Sequence, residues 1–544
     1  MSALAAGASM LAVITMSPDV SADTLPIAGE LETVTADALP TWQTDGVVLA
    51  TKVVGDTVYV GGNFDNVRPP GVARGGAGEV PRSNLAAFDV ATGALLPWAP
   101  TVWGDTFSDG DSHTECDNLG GGQWRCDTVY DIAASPDGST LYVAGDFDKV
   151  DGEWRTRLAA FDAATGALTP FRHTITNRVR AMAVSDSTLY IGGHFTTVDD
   201  ESRIRLAAFD RADGSLLPWT PSADRRVHAM VLSPSGTRLI IGGDFDRVNG
   251  VFQHGLSAVH TADGTKAPFA SNDITYLTST RRSWVTDLVS DGTRVYVSAN
   301  GEGGGVFDGR LAVNPETGAR IWIDNCLGAT QAITVMNGVL YSGSHAHYCG
   351  SQDYYGVAGF PETRPHRRFL AEPAGTAAGA KQSILHWFPN AQAGTSYPWV
   401  QGPWTMDNNG TYLWIGGDFT EVDNVPQEGL TRFTFHSVAP DANGAEQSVL
   451  TKPVATANGN GKVTIRFAST WDEDNRVLDY ELLRADGSVV CTKSQVASVF
   501  WILPPQSCVD LDTPVDSVVK YRVRAIDPWN NRISSSYSAD VTVR

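Results

Sequence analysis

The feature that most constrains this chain is a unit that returns. Residues 179–219 read VRAMAVSDSTLYIGGHFTTVDDESRIRLAAFDRADGSLLPW and hold four short runs, 179–184, 189–193, 206–210 and 215–219. Each run is rich in β-branched, small apolar and aromatic residues, and turn residues separate them, which predicts four antiparallel strands. The parts recur as LYVAGDF at Leu141, LIIGGDF at Leu239, LWIGGDF at Leu413, LAAFDAATGAL at Leu158 and LAAFDVATGAL at Leu85. A four-stranded unit repeated every ~50 residues cannot bury its faces alone. It stacks on copies of itself, and the closed solution is a β-propeller.

Second strands begin at Val58, Leu141, Leu189, Leu239, Val295, Leu340 and Leu413. Their first-strand partners are 48–53, 129–134, 179–184, 227–232, 285–289, 330–335 and 403–406, which predicts seven blades over residues 38–436. The strands are nearly continuous apolar runs, as expected of sheets covered on both faces. The seventh unit has a third strand at 430–435 but no fourth, whereas Ala38-Leu39-Pro40-Thr41-Trp42 stands alone before the first unit and resembles Leu95-Leu96-Pro97-Trp98. The N-terminal segment is therefore predicted to supply the outer strand of the seventh blade, burying Trp42. This clasp closes the ring and hides a sheet edge.

A linker at 437–452 leads to residues 453–544, where Val463-Ile465-Phe467, Leu478-Tyr480-Leu482 and Tyr521-Val523-Ala525 alternate as strands do in a β-sandwich. A sandwich with its own core is expected to leave the propeller's stability unchanged when it is removed. The whole chain is thus read as all-β: a seven-bladed propeller with an N-terminal strand clasp, followed by a sandwich.

The full repeat, best seen at 141–171, resembles that of the delta-sixty repeat propellers of secreted bacterial proteins, often joined to fibronectin type III domains. WDEDNRVLDYELLR at Trp471 and YRVRAIDPWNN at Tyr521 are similar to the fibronectin type III pattern, although Phe467 stands where that family's strand-B tryptophan is usual. The resemblance implies a fold and an extracellular setting and brings no general activity with it. The run at 160–166, AFDAATG, also matches the docking motif of quinoprotein dehydrogenase propellers, where it is structural. No adjacent cysteine pair or recognisable calcium cage accompanies it here.

Residues 1–22 read as a signal peptide, with an apolar run at 4–16 and Val20-Ser21-Ala22 as small residues before the cleavage point, though without a basic start. That run is too short to cross a bilayer of ~30 Å, so no membrane span is predicted. A net charge of −21 repels phosphate backbones and anionic lipid surfaces, which argues against nucleic-acid partners. The 6 cysteines fall into local pairs, Cys116 with Cys126, Cys326 with Cys349 and Cys491 with Cys508, although six permit ~15 pairings. Disulfides at these positions fit a secreted or cell-surface protein.

Antiparallel order puts every long insertion, 68–83, 99–127, 350–356 and 361–402, on one face of the ring. Loops elaborated on one face of a rigid scaffold are where binding usually resides. At the mouth of the central channel, the second positions of the first strands are Leu49, Tyr130, Arg180, His228, Thr286, Gln331 and Trp404, the most varied column of the array. Tyr130, Arg180, His228, Gln331 and Trp404 are candidate ligand contacts. So are His345 and His347, a His-x-His pair joined in the sixth unit by His366 and His386, with Tyr354, Tyr355, Tyr397 and Trp399 as flat apolar neighbours.

The residues that follow the second strands, Asn63, Asp146, His194, Asp244, Asn300, His345 and Asp418, form a polar ring too wide to share one ion, and they read as turn caps. No cofactor or metal site is expected, except for possible calcium binding near Asp109 and Asp111, with Asp105 and Asp117 close in sequence. No catalytic residues are assigned. The expected function is an exported, non-catalytic binding or adhesion scaffold that recognises an extracellular or envelope glycan or protein through the elaborated face. The alternative is a secreted hydrolase or lyase using His228, Arg180 and Tyr130 at the channel mouth.

Overall fold

The computed structural model describes residues 30–108, 116–271, 281–302, 306–324, 326–395 and 401–544. The signal-peptide reading at 1–22 lies outside them, as do Asp109, Asp111, Tyr397 and Trp399. Among the described residues the regular structure is entirely strand. Among these residues, seven main antiparallel sheets of three or four strands follow one another up to Thr434, with smaller sheets formed by the loops between them. Their first strands are Val47–Val54, Val129–Ala134, Val179–Val184, Val227–Leu232, Ser283–Ser290, Thr330–Met336 and Pro403–Asn408. Each of these packs on the first strand of the next sheet, and Pro403–Asn408 packs back on Val47–Val54, so the sheets stand radially around an axis as in a β-propeller.

The Gly-Gly of the repeat explains this stacking. Every first strand carries a bulge at the same place, where pairing skips one residue. The bulged backbone presses on the second glycine. A Cβ on Gly62, Gly193 or Gly243 would lie 2.0, 2.2 or 2.1 Å from the carbonyl oxygen of Val47, Arg178 or Arg226. The first glycine receives the neighbouring sheet. A Cβ on Gly61, Gly192 or Gly242 would lie 2.4, 2.7 or 2.3 Å from Val129, Val227 or Val285, and one on Gly416 would lie 2.5 Å from Val48 of the first sheet.

The outer strands depart from expectation. Among the described residues, only the fifth sheet has a full fourth strand, Arg320–Asp324 paired with Arg310–Val313. In the first four sheets it shrinks to single bridges, Phe88 with Leu95, Phe161 with Leu168, Phe209 with Leu216 and Val259 with Lys266. Proline is the reason. It lacks an N–H and holds its predecessor extended, so Pro97, Pro170, Pro218 and Pro268 end each ladder two residues after it starts. The repeat arginine then holds the segment: Arg155 Nη2 donates to Thr169 O at 2.8 Å and Arg203 Nη2 to Leu217 O at 3.0 Å. The AFDAATG run is a turn, in which Asp162 Oδ1 accepts the Thr165 N–H at 2.8 Å and its hydroxyl at 2.7 Å.

The N-terminal segment lies along the outer edge of Leu430–Thr434, with Thr35 N–H donating to Thr434 O at 2.8 Å and Leu39 N–H to Arg432 O at 2.9 Å. Pro40 stops the pairing there. Trp42 has already left the edge and is half-buried, not buried as the sequence suggested, because Gln43–Thr44 turns to pair with Asn66–Arg68. Val34 is fully buried, and its N–H donates to Tyr341 Oη at 2.9 Å, so the segment also ties in the sixth sheet.

After the linker, sheets of three and four strands face each other across Val463, Ile465, Phe467, Leu478, Tyr480, Leu482, Tyr521 and Val523. This sandwich has a core of its own but does not stand apart. Trp471, Val499, Phe500 and Trp501 pack with Tyr354, Phe360, Ile384 and Phe388, from the loops that extend from the sixth sheet, and with the Cys326–Cys349 pair in one apolar cluster. The Arg367 guanidinium sits 3.9 Å from the centre of the Phe500 ring. The sequence-based expectation of an independent sandwich is therefore corrected: the apolar alternation within each domain says nothing about a seam built from loops of both.

A chain ending at residue 436 bares those loop aromatics, each worth ~1.5–3 kcal/mol when buried. Calorimetry is expected to show it melting several degrees below the full chain; equal melting temperatures would mean that the seam contributes nothing. Deleting residues 30–43 opens the Leu430–Thr434 edge, and the truncated chain is expected both to melt earlier and to lose monodispersity in size-exclusion chromatography.

Candidate ligand site at the channel mouth

The residues skipped by the seven bulges are Leu49, Tyr130, Arg180, His228, Thr286, Gln331 and Trp404. A bulge frees its residue from the ladder and re-aims the side chain. All seven line one cavity of about 350 Å³ enclosed by the first strands, together with Lys52, Asp131, Asp287 and Asp407. The column that varies most along the sequence is thus the column released from sheet pairing, while its neighbours on the same strands remain bound by stacking.

The mouth is polarised. The Arg180 guanidinium lies over the Tyr130 ring, 4.1 Å from its centre, a cation–π contact. Gln331 is 4% exposed, and its Nε2 is buried without a hydrogen-bond partner. Arg178 Nε pairs with Asp146 Oδ2 and Arg226 Nη2 with Asp244 Oδ2, both at 2.6 Å. Burial, reinforced by Arg180, His228, Arg178 and Arg226, pushes the proton affinity of His194 far down and leaves it neutral. Of these groups Arg180 and His228 line the cavity itself, while Arg178 and Arg226 are neutralised by their aspartates.

Deeper in the channel lie groups that reading the second column alone missed. Asp131 Oδ2 accepts the Met182 N–H at 2.6 Å, Asp287 Oδ2 the Ile333 N–H at 3.0 Å, Thr405 Oγ1 the Thr51 N–H at 3.0 Å and Asp407 Oδ2 the Val53 N–H at 2.9 Å. Each acceptor reaches across to the next sheet, and the last two join the seventh sheet to the first. Their signal was present in the sequence, as Asp breaking the small or apolar third and fifth positions of the strands. Loss of hydration pushes the Asp131 carboxyl up to about 7 and that of Asp287 up to about 6. Asp407, 2.9 Å from Lys52 Nζ, raises the lysine's affinity for its proton.

The other sequence candidates are placed apart from this cavity. His345 and His347 both have rings 5.7 Å from that of His366. His345 Nδ1 is bound to Gln401 and His347 Nδ1 lies 3.0 Å from Glu362. Burial lowers the His345 pKa to about 4. Among the described residues, no group of three converging metal-ligand side chains includes either histidine. His386 faces the other way and reaches Asp472 O at 2.9 Å.

Tyr354 is not a free aromatic face: it is 5% exposed and meets Trp501 at 4.8 Å. Tyr355 is exposed, with Arg476 over its ring. Asp105 and Asp117, expected near a calcium loop, pair with Lys149 at 3.5 Å and Arg125 at 2.7 Å. The cysteine pairs Cys116–Cys126, Cys326–Cys349 and Cys491–Cys508 are bonded, with Cα separations of 4.5, 4.2 and 6.3 Å, as suits an oxidising compartment.

No family model and no curated protein matches this chain. Among solved structures it is similar to one described as "Crystal structure of RRP9 WD40 repeats", with 10% sequence identity and a TM-score of 0.38, over 74% of this chain and 99% of that one. A superposition this loose bears on neither blade number nor function.

The Asp131 carboxyl gives a pH test. Because its folded pKa lies above the ordinary 3.8, the neutral form stabilises the fold fully below pH ~4, and that contribution is lost as pH rises through about 7. Asp131→Asn keeps an acceptor for the Met182 N–H and cannot ionise. Its melting temperature is expected to match the wild type near pH 4 and to exceed it at pH 8; parallel melting curves over this range would show that Asp131 titrates normally.

Proposed function

We propose that this chain is an exported, non-catalytic binding scaffold that holds an extracellular or envelope glycan or protein at the channel mouth. In this reading the ring is a seven-bladed propeller of the delta-sixty repeat type, and a fibronectin type III-like domain is docked on its sixth blade. The observation that carries it is the bulge column: seven dissimilar side chains turned into one cavity from strands that are otherwise near-copies. Stacking does not account for Tyr130, Arg180, His228, Gln331 and Trp404, since the bulge removes them from the ladder. Aromatic rings, a guanidinium and an unsatisfied amide suit a polar ligand with apolar faces. The bonded cysteines support export.

Arg180→Ala and Trp404→Ala are each expected to weaken binding to immobilised envelope polysaccharide or envelope protein about tenfold or more, as central interface residues do. Ser235→Ala, in a turn on the opposite face, should bind as the wild type does. If all three bound equally and retained the wild-type melting temperature, the mouth would not be the binding site.

A hydrolase or lyase is favoured by one observation: the Asp131 carboxyl, pushed up to about 7, lines the same cavity as His228 and Tyr130. Displaced proton affinities gather at catalytic sites, yet the Asp131 carboxylate already serves as an acceptor between sheets. Turnover in a screen of polysaccharides and esters, abolished by His228→Ala in a folded protein, would replace the scaffold reading with this one.

A further inference from the structure

Three carboxylates at the seam between ring and sandwich have no counter-charge. Asp441 of the linker and Asp472 and Asp474 of the sandwich each bring an oxygen within 4.8 Å of the other two. Asp441 is 7% and Asp472 3% exposed. Other buried acids of the chain are neutralised by guanidinium: Asp324 and Glu372 share the fully buried Arg310, and Asp510 takes Arg484. Among the described residues no Lys, Arg or His pairs with Asp441, Asp472 or Asp474, and Arg476, beside them in sequence, pairs with Glu30 at 2.9 Å.

Neutral donors do not make up the deficit. Asp472 Oδ1 accepts the N–H groups of Asp474 and Asn475, each at 3.2 Å, while the buried Oδ2 of the same carboxylate accepts nothing. Asn475 Nδ2 stands 2.6 Å from Asp441 Oδ2, 2.7 Å from Asp474 Oδ1 and 3.3 Å from Asp472 Oδ1, three acceptors around an amide with two protons. An unmet carboxylate oxygen in a buried site is costly, more so beside two further carboxylates. The other two groups of converging potential ligands each include a bonded cysteine, so their sulfur is already committed.

We propose that Asp441, Asp472 and Asp474 bind a calcium ion, which locks the linker and the N-terminal segment to the sandwich. The donors are all oxygen, the set preferred by hard cations, and calcium tolerates irregular geometry. Magnesium, which keeps several of its waters, suits so buried a site less well. Turning the Asn475 amide over presents its oxygen as a fourth ligand; which end is which is not fixed by an amide's shape. Asp474 Oδ2 also accepts the Ala36 N–H at 2.6 Å, and the Asp37 carboxylate accepts the Ala442 N–H, so the ion would sit where three separate stretches of chain meet. Burial and mutual repulsion raise the proton affinity of all three acids, so protons are what the ion displaces.

The test uses the full chain stripped with EGTA. Calorimetric titration with calcium is expected to show one site, with a Kd of about 10⁻³ M or tighter, as in extracellular modules. Saturating calcium should raise the melting temperature by several degrees, and equimolar magnesium by much less. Terbium in place of calcium should luminesce on excitation of tryptophan, given Trp471 beside Asp472. Asp472→Asn should melt no lower than the wild type in EGTA, because a repulsive charge is gone, yet lose both the calcium heat and the terbium signal. Asp486→Asn, at an exposed turn, should keep both. The absence of calcium heat and melting shift in the wild type would overturn the proposal. So would a calcium response retained by both Asp472→Asn and Asp441→Asn, or an equal response to magnesium.

Discussion

In four of its seven sheets, the first, third, fourth and seventh, the ring depends on the absence of two adjacent Cβ atoms in the second strand. One gap lets the first strand bulge against Gly62, Gly193, Gly243 and Gly417; the other lets the valine of the next sheet sit directly on Gly61, Gly192, Gly242 and Gly416. The same close approach therefore sets the distance between sheets and aims the bulged residue at the axis. Stability and ligand chemistry are separated by one residue along the same strand. Val129, Val179 and Val227 are fully buried, while Tyr130, Arg180 and His228 beside them line the cavity.

A second layer of cohesion is polar. Asp131, Asp287, Thr405 and Asp407 carry hydrogen bonds between neighbouring first strands, at positions where most other sheets have alanine or valine. These contacts line the central channel, whereas the glycine contacts lie between the faces of neighbouring sheets. The protonation of Asp131 near pH 7 means that part of this layer answers to conditions that the apolar layer ignores.

What could be read in advance was whatever is local and repeated. The turn chemistry of Asp162 and Thr165, the strand order and the bulge column all lie within one period of sequence. The outer strands were misread because the LLPW run has strand composition, and the single proline that ends its ladder outweighs it. The seam was not legible for a different reason: Trp471 and Phe500 read as parts of the sandwich, and nothing in their spacing points to Tyr354 or Phe388 far back in the chain. Asp441 lay in what read as a linker, so its convergence with Asp472 and Asp474 emerges only from the folded chain.

The proline-shortened outer segments carry a consequence for where such a chain can begin. Leu96, Thr169, Leu217 and Ala267 are each held by a backbone hydrogen bond to the third strand, and Leu39 is held in the same way although it comes from the other end of the polypeptide. The covalent link from third strand to outer segment is therefore dispensable in the seventh sheet, and the ladder that replaces it is no longer than those of the first four. Residues 35–39 thus close the ring at one of several equivalent seams in the circle. A gene that opened the ring at another proline-ended segment would encode the same wheel, with a different sheet closed by its own beginning.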